Sequence, residues 1–429
     1  MKKLLGTTLI CASLPFAAFA QEKPESIKIG IATFLTGSAS VFGVPARDAA
    51  DLIVKNINEA GGIEGVPVEV SYIDEGAGAE TLTSEFRRLV ESENVDVMFA
   101  AISSGNCTTI APLAEDLQVP NFLWDCGTQR IFEEDDYKYV FRTQANATPE
   151  MLAAVLYLLQ EKPDFSTIAV VNQDYAWGRD SWDIFSTALK AMKPDVEVVG
   201  EFFPKFGSAD FSTEISRLQG LRPDVILSTS WGGDLDTFVQ QASQRGLMNS
   251  STFVLPLAES SLERLGSSLP AGHIVGARGD HYFLHPARRD DQDFKDFVDQ
   301  FQESTGSVPI YSVFHMAQAF AALEAVYARA IEENGGAWPD EDQLLAAMEG
   351  LEFQGYGNPI TIREDNQGIE DQLMGTSVQS GEYPFATLEN IVIYDGDDLT
   401  APVGEDSIEW VGSLDSSFAE SAGSETYEN

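Results

Sequence analysis

Positive charge is scarce in this sequence. The 429 residues include 26 lysines and arginines against 68 aspartates and glutamates, so the formal net charge at pH 7 is −42. A surface with this charge repels the phosphate backbone of nucleic acids and the headgroups of anionic membranes. We therefore exclude nucleic acid and membrane surfaces as partners and expect a very soluble protein.

Long apolar runs are also scarce, and the one that stands out lies at the N-terminus. Lys2 and Lys3 precede an apolar segment over residues 4–19, and small residues stand at Ala18 and Ala20. This order is typical of a secretory signal peptide, and the segment is shorter than the roughly 20 apolar residues that span a bilayer. The sequence thus predicts a signal peptide over residues 1–20, a periplasmic location and no membrane insertion after cleavage.

Cysteine is rare, and its few positions are informative. Of the 3 cysteines, Cys11 lies in the predicted signal peptide and is removed with it. The other two, Cys107 and Cys126, would meet an oxidising compartment, which favours their pairing as a disulfide. Two buried thiols are the alternative.

Motifs of enzymes and of cofactor binding are missing. The chain has no GxSxG, no HExxH, no phosphate-binding loop and no GxGxxG after a strand. His281 and His285 have a spacing found in metal sites, but no second group of cysteine or histidine accompanies them. We therefore predict no catalytic residues, no metal and no cofactor. An enzyme that uses the carboxylates of Asp125 and Asp234 is the alternative.

What the chain does contain is a regular alternation of strand-like and helix-like segments. The first series has predicted strands at residues 27–34, 68–74, 95–102, 121–124 and 139–142, separated by helices at 46–59, 80–92 and 108–117. The second has helices at 149–160, 177–192, 211–221 and 235–245 and strands at 167–172, 196–203, 225–229 and 252–255. Short apolar strands alternating with helices predict two doubly wound α/β domains.

The later segments are too few to form a third core. They comprise strands at residues 273–278 and 388–394 and helices at 291–303, 311–333 and 344–351. We expect them to return to the first two domains, which requires several chain crossings. Residues 396–429 are acidic and rich in glycine and serine, and no lysine or arginine follows Arg363. This composition predicts a flexible tail.

Candidate ligand residues stand in the loops after the predicted strands, where open α/β sheets bind ligands. Hydroxyl groups at helix N-termini suit a carboxylate, aromatic rings give apolar walls that attract an ammonium group, and acids pair with an amine. The loops carry Ser38, Phe42, Ser103, Ser104, Asn106, Asp125, Thr128, Trp177, Trp231, Asp234 and Glu259. Together they predict a cleft for a small zwitterion, although the hydroxyls and Asp234 could equally cap helices and the tryptophans could be packing.

Several of these segments match a known family. The runs IKIGIATFLTGSASVFG, NEAGGIEGVPVEV, AAISSGN, DYAWG and STSWGGD occur in the order and spacing of its first strand and ligand loops. Over residues 27–394 the chain resembles the type I periplasmic binding proteins of the leucine/isoleucine/valine-binding group. The resemblance implies two Rossmann-like lobes joined by three hinge crossings, near residues 143–148, 278–281 and 352–359. The first lobe would be residues 27–143 and 280–353, and the second would be 144–279 and 354–395.

The resemblance also implies roles for individual residues. Ser103, Ser104 and Asn106 match the carboxylate-binding loop, and Cys126 and Thr128 fall where the family contacts the ligand's carboxylate and amino group. Trp177 and Trp231 replace tyrosines, and Glu259 lies near a carboxylate that binds the amino group. The segment DCGTQR departs from the family's small apolar one, and its Arg130 could clamp a carboxylate. The wider aromatic cage would favour an aromatic, cyclic or amine-bearing ligand over leucine.

The function implied is that of a binding protein for an ABC importer. It would hold a branched-chain, aromatic or related amino acid between its lobes by hinge closure and deliver it to an inner-membrane permease. Two alternatives stay open: a sensor that reports to a membrane receptor, and a binder of an amide, an amine or an aromatic carboxylate.

Overall fold

The computed structural model of the protein describes residues 22–281, 288, 290–381 and 383–427. The predicted signal peptide, residues 1–20, lies outside the described residues, as does His285. Among the helices within these ranges, none combines the length and the apolar character needed to cross a membrane.

The first sheet is parallel and five-stranded, with the strand order β2-β1-β3-β4-β5. In chain order its elements are β1 (Ile27–Thr33), α1 (Ser40–Glu59), β2 (Val68–Asp74), α2 (Ala79–Glu91), β3 (Val97–Phe99), α3 (Ser104–Leu117), β4 (Asn121–Leu123), α4 (Arg130–Glu134) and β5 (Val140–Arg142). The order changes direction between β1 and β3, which is the switch point of a doubly wound sheet.

The second sheet repeats the same order, β7-β6-β8-β9-β10, on its parallel side. Its elements are α5 (Ala147–Glu161), β6 (Thr167–Val171), α6 (Ala176–Met192), β7 (Glu197–Phe202), α7 (Ser212–Leu221), β8 (Val225–Leu227), α8 (Gly232–Gln244), β9 (Thr252–Leu255), α9 (Leu262–Leu265) and β10 (Ile274–Gly276). Its parallel strands are almost entirely apolar and buried apart from β7, whose residues are half-buried or exposed, as expected for a strand at that end of the sheet.

The remaining chain completes both lobes. Its elements are α10 (Gln292–Thr305), α11 (Tyr311–Glu333), α12 (Glu341–Met348), β11 (Glu352–Gln354), β12 (Pro359–Ile362), β13 (Gly368–Ile369), β14 (Gln372–Val378) and β15 (Thr387–Tyr394). Helix α11 packs on the first sheet, where the Phe320 and Phe99 rings lie 5.2 Å apart. Strands β14 and β15 extend the second sheet in antiparallel fashion. Two doubly wound lobes with three crossings between them confirm the predicted fold class.

The three crossings meet at two buried carboxyl groups. Asp280 accepts hydrogen bonds from the Gly357 amide at 3.0 Å and from Gln318 at 3.3 Å. Gln318 also donates to Glu370 at 2.6 Å, and the other Glu370 oxygen accepts from the Ala145 amide at 3.2 Å. Burial, and then the nearby Asp280, raise the pKa of Glu370 well above its usual range. The crossings are therefore held together by a network that contains a protonatable carboxyl.

One predicted helix begins earlier than the sequence indicated. The apolar periodicity predicted a start at residue 46. In the structure α1 begins at Ser40 and contains Pro45. The early start places Phe42 in the buried face of α1, where it supports the cleft.

The tail is folded onto the protein, contrary to the composition-based prediction of a flexible segment. It forms α13 (Gly396–Leu399), α14 (Ser407–Ser413), α15 (Phe418–Ser421) and β16 (Ser424–Tyr427), and β16 pairs with β15. Helix α14 packs against α6, and Ser407 bonds both Thr148, at 2.6 Å, and Glu133. A few buried apolar side chains, Leu399 and Val411 among them, hold a segment whose overall composition is polar.

Two valines in the tail give a matched test of this packing. Val411 is fully buried in α14, whereas Val403 is 42% exposed. Val411→Asp places a charge in a buried site and should lower the free energy of unfolding by at least about 2 kcal/mol. Val403→Asp should change it by less than about 0.5 kcal/mol. Urea unfolding of the two variants measures both, and equal small effects would mean that the tail does not pack in solution.

Candidate ligand-binding site

A small pocket lies between the carboxyl ends of the two sheets. Its volume is about 10 Å³, room for about one water molecule and far below the roughly 300–1,000 Å³ of pockets for drug-sized ligands. Residues from both lobes line it: Ile102, Ser104, Asp125, Gly127, Tyr175, Trp177, Trp231, Leu257, Arg278 and Tyr311. A larger hollow of about 260 Å³ lies between α4 and the tail. The small pocket is the candidate site because it stands at the strand ends and the switch points.

Aromatic rings form the walls of the pocket and are fixed by hydrogen bonds. The Trp177 indole donates to the Thr229 carbonyl at 2.8 Å, and the Trp231 indole donates to the Tyr175 hydroxyl at 2.6 Å. Phe42 packs behind them, with its ring centroid 5.3 Å from that of Trp231. The rings are thus held in position before any ligand arrives.

The charged group of the pocket is the buried guanidinium of Arg278. Its Nη1 donates to Asp125 Oδ1 and its Nε donates to Glu150 Oε1, both at 2.8 Å. The guanidinium lies over the rings of Trp177, at 5.3 Å, and Tyr311, at 5.5 Å. Burial opposes its charge, but the Glu150 and Asp125 carboxylates outweigh burial and hold the pKa of Arg278 above its usual value.

Two polar groups beside the pocket make no well-aligned hydrogen bond among the described residues. Nη2 of Arg278 is ion-paired with Glu150 Oε1 at 2.8 Å but is not aligned for a hydrogen bond. The Tyr311 hydroxyl lies close enough to the Arg278 guanidinium to interact with it, but its own proton has no acceptor among the described residues. Burial raises the pKa of Tyr311 well above its usual value, so the hydroxyl keeps its proton. Buried donors without acceptors are rare in proteins and mark a place where a ligand atom can bind.

His315 holds Asp125 in place from α11. Its Nδ1 lies 2.5 Å from Asp125 Oδ1 and its Nε2 lies 2.9 Å from the Arg278 carbonyl. The Arg278 carbonyl can only accept, so Nε2 is the nitrogen that donates to it. The two contacts fix the ring of His315 and, through it, the position of Asp125.

The loop after β3 binds a carboxylate, but an internal one. Glu75 Oε1 accepts from the Ser103 amide at 2.8 Å and from the Asn106 side chain at 2.9 Å, and its Oε2 accepts from the Ile102 amide at 3.0 Å. Burial raises the pKa of Glu75 to about 7, against these hydrogen bonds, which lower it. Ser103 and Asn106, predicted as ligand residues, thus have an acceptor within the protein.

The predicted partners of an amino group are also engaged. Glu259 accepts from the Tyr311 amide at 2.9 Å, does not line the pocket, and has a pKa that burial raises well above its usual value. Asp234 accepts from Gln173 at 3.0 Å and from the Gly207 amide at 2.7 Å. Among the predicted acids, Asp125 is the one that lines the pocket.

Other predicted residues lie where the lobes touch. Thr128 donates to Asp180 of the second lobe at 2.6 Å, and Arg130 donates to the same carboxylate at 3.1 Å rather than turning inward. The carbonyl of Ser38 accepts from the Gly233 amide at 3.0 Å. Cys126 is joined to Cys107 in a disulfide, as predicted, with Cα atoms 6.3 Å apart. The contacts of Thr128, Arg130 and Ser38 join the lobes beside the pocket, whereas the disulfide ties two loops of the first lobe.

The structure brings four of the predicted residues together around the pocket, Ser104, Asp125, Trp177 and Trp231, and adds six others, of which Arg278 and Tyr311 matter most for a ligand. Arg278 was assigned to a strand end and a crossing, and Tyr311 to the start of a helix. A signal for Arg278 was available, because an arginine directly after an apolar strand is unusual in a chain with so few basic residues. Tyr311 gave no such signal, since its helix is apolar throughout.

Comparisons with known proteins agree with this architecture. The family model for periplasmic binding proteins matches residues 26–382. The Leu/Ile/Val-binding protein homolog 7 of Brucella abortus (strain 2308) is 26% identical over 391 residues, 86% of this chain and 94% of its own. The chain is therefore a periplasmic binding protein of type I. Members of this family are extracytoplasmic solute-binding proteins, and the Brucella relatives that the chain resembles are named for leucine, isoleucine and valine binding.

Two solved structures show the same fold. A solute-binding protein of an ABC transporter from Rhodopseudomonas palustris BisB5, in complex with 3,4-dihydroxybenzoic acid, has a TM-score of 0.74 and 21% identity, and the match covers 88% of this chain and 99% of that one. A leucine-, isoleucine-, valine-, threonine- and alanine-binding protein from Brucella ovis, in a closed conformation, has a TM-score of 0.72 and 17% identity and covers 89% and 98%.

Gly127 tests whether this closed pocket forms in solution. A Cβ atom at position 127 would collide with the six-membered ring of Trp177. Gly127→Ala should therefore keep the lobes apart and weaken ligand binding at least about tenfold. Gly105→Ala is the matched control, because it lies in α3 with its nearest neighbour 3.9 Å away. Calorimetric titration of both variants with a ligand that the wild-type protein binds measures the effect. Equal affinities would show that Trp177 does not pack on Gly127.

Proposed function

We propose that this protein is the extracytoplasmic solute-binding component of an ABC importer and that its ligand is a small aromatic carboxylate. The observation that carries the proposal is the buried Arg278 guanidinium, which lines an aromatic pocket beside the unpaired hydroxyl of Tyr311. Family membership supports the transport role, and the pocket supports the class of ligand.

A ligand carboxylate fits the two unpaired donors. Its oxygens would accept from Nη2 of Arg278 and from the Tyr311 hydroxyl. Neither of these two donors makes a well-aligned hydrogen bond with a described residue. Charge-assisted hydrogen bonds of this kind are short and about twice as strong as neutral ones. They would also be protected from water, which strengthens them further.

The family's usual carboxylate loop is not free to take this role. Glu75 already occupies the amides of Ile102 and Ser103 and the side chain of Asn106. A ligand carboxylate placed there would have to displace an internal one. The anion therefore has a better place at the opposite side of the pocket, at Arg278.

The walls of the pocket suit a flat apolar ring, although the lobes must move apart to admit one. Trp177, Trp231 and Tyr175 line the space, and hydrogen bonds fix their orientations. Offset or edge-on contacts between aromatic rings contribute about 0.5–1.5 kcal/mol beyond the area they bury. The Rhodopseudomonas palustris protein of the same fold binds 3,4-dihydroxybenzoic acid, a ligand of this kind.

Ligand binding would proceed by closure of the two lobes around the crossings. The first lobe, residues 27–143 and 280–353, contributes Ser104, Asp125 and Tyr311, whereas the second, residues 144–279 and 354–395, contributes both tryptophans. Contacts such as Thr128–Asp180 form only when the lobes are together. The closed form would then present both lobes to a permease in the inner membrane.

An amino acid is the second candidate. Asp125 lines the pocket and could accept from an ammonium group, and the Brucella relatives are named for branched-chain amino acids. In this candidate the protein holds a zwitterion between Arg278 and Asp125. A sensor that reports the same ligand to a membrane receptor would use the same pocket.

A panel of five compounds separates these candidates. Thermal shift and calorimetric titration would compare benzoate, benzamide, benzylamine, phenylalanine and leucine on the protein after removal of copurified ligand. We expect benzoate to bind, and benzamide and benzylamine to bind at least about a hundredfold more weakly, because neither supplies an anion for Arg278. Binding of leucine or phenylalanine without benzoate would establish the amino-acid candidate instead. No binding of any carboxylate would overturn the proposal.

Tyr311→Phe tests the role of the unpaired hydroxyl. The hydroxyl proton has no acceptor among the described residues, so removal of the hydroxyl should leave the fold intact. Affinity for benzoate should fall about tenfold, the worth of one charge-assisted hydrogen bond. Tyr394→Phe is the matched control, because that hydroxyl is also buried without a partner among the described residues but lies in β15, away from the pocket. Equal affinities of the two variants would remove Tyr311 from the site.

A further inference from the structure

The Arg278 guanidinium is shared between two buried carboxyl groups before any ligand binds. Asp125 and Glu150 each lie 2.8 Å from it, and the side chains of all three residues are at most 5% exposed. A ligand carboxylate at the same guanidinium would be a third acid around one cation. Like charges brought together in a buried site favour protonation of one of them.

The geometry indicates which acid takes the proton. Asp125 Oδ1 accepts from Arg278 and lies 2.5 Å from His315 Nδ1. Glu150 Oε1 accepts from Arg278, but Glu150 Oε2 is buried and has no partner among the described residues. A charged carboxylate oxygen buried without a donor is costly, whereas a protonated one is not. Oε2 of Glu150 is therefore the place for an added proton.

We propose that Glu150 is a specificity-determining residue that takes up a proton when an anionic ligand binds at Arg278. The inference rests on the proposed function, because it requires a ligand with a carboxylate. It goes beyond it by assigning a role to a residue that does not line the pocket. Proton uptake would let a single arginine serve both an internal carboxyl group and a carboxylate ligand.

A count of charges shows why the two events are coupled. The part of the cluster that a proton on Glu150 changes is its ion pair with Arg278. With Glu150 ionised this pair is neutral, and an added anion makes it negative. With Glu150 protonated the pair has one positive charge, and the ligand anion neutralises it. Arg142, buried nearby, adds a positive charge at longer range in both cases.

The ionisation of Glu150 falls in an accessible pH range. Burial raises the pKa of Glu150 to about 7, against the lowering effect of Arg278. A ligand anion beside Arg278 raises this pKa further in the complex. Affinity for a carboxylate is therefore full below about pH 7 and falls as the pH rises above it, by up to about tenfold per pH unit.

Calorimetric titration with benzoate in phosphate and in Tris buffer measures the uptake directly. These buffers differ in their heat of ionisation, so the difference in observed enthalpy gives the number of protons exchanged. We expect uptake of between about half a proton and one proton per benzoate at about pH 8, and little at about pH 6. Benzoate itself stays ionised throughout this range, because carboxyl groups of its kind titrate near pH 4.

The variant Glu150→Gln imitates the protonated state. Its amide oxygen can still accept from Arg278, and it cannot ionise. We expect it to bind benzoate without pH dependence between about pH 6 and 9 and about tenfold more tightly than the wild-type protein at about pH 8.5. If this variant does not fold, Glu75→Gln removes the other carboxyl beside the cleft that has a pKa of about 7, and proton uptake that persists in this variant is assigned to Glu150.

The failures of the two proposals are distinguishable. Benzoate binding in which the wild-type protein takes up no proton at about pH 8 would overturn the role of Glu150 and leave the proposed function standing. Absence of benzoate binding at every pH would overturn the proposed function and the role of Glu150 with it.

Discussion

Arg278 is buried where the second crossing enters the cleft, and its charge must be balanced by the protein because water is excluded there. Asp125 of the first lobe and Glu150 of the second lobe provide that balance, each at 2.8 Å. Removing one partner of such a buried pair typically costs about 3–5 kcal/mol. The same contacts hold the lobes together, place the cation in the pocket and leave two donors without a well-aligned acceptor. In the proposed function, closure and ligand recognition therefore depend on one arginine.

A similar use of buried carboxyl groups recurs around the cleft. Glu75 satisfies the loop after β3, and Asp280 and Glu370 tie the crossings together. Each lies among donors that the backbone or an amide side chain supplies. The strongly acidic composition is therefore more than a solubility device, because several of the acids shape the cleft and the hinge. One of these acids, Glu75, occupies the loop after β3, which by the resemblance would bind the carboxylate of a ligand.

Much of the fold could be predicted from the sequence, because buried parallel strands and amphipathic helices have clear periodic patterns. The two series of strands, the return of the later helices and the disulfide follow from such patterns and from the compartment. The tail could not be predicted in this way, since Leu399 and Val411 are isolated apolar residues in a polar segment. In the site, the positions of loop residues such as Asp125 and Trp177 could be predicted, because they follow strands whose carboxyl ends meet at the cleft. The partners of Glu259 and Asn106 could not be predicted, because they come from segments that are distant in the sequence: Tyr311 for Glu259 and Glu75 for Asn106.

The most direct test is a crystal structure of the protein grown with benzoate. The account predicts closed lobes, with the ring between Trp177 and Trp231 and the carboxylate within about 3.2 Å of Arg278 Nη2 and the Tyr311 hydroxyl. A carboxylate bound instead at Ser103 and Asn106, with Glu75 displaced, would contradict it. An empty pocket in crystals grown at saturating benzoate would contradict it as well.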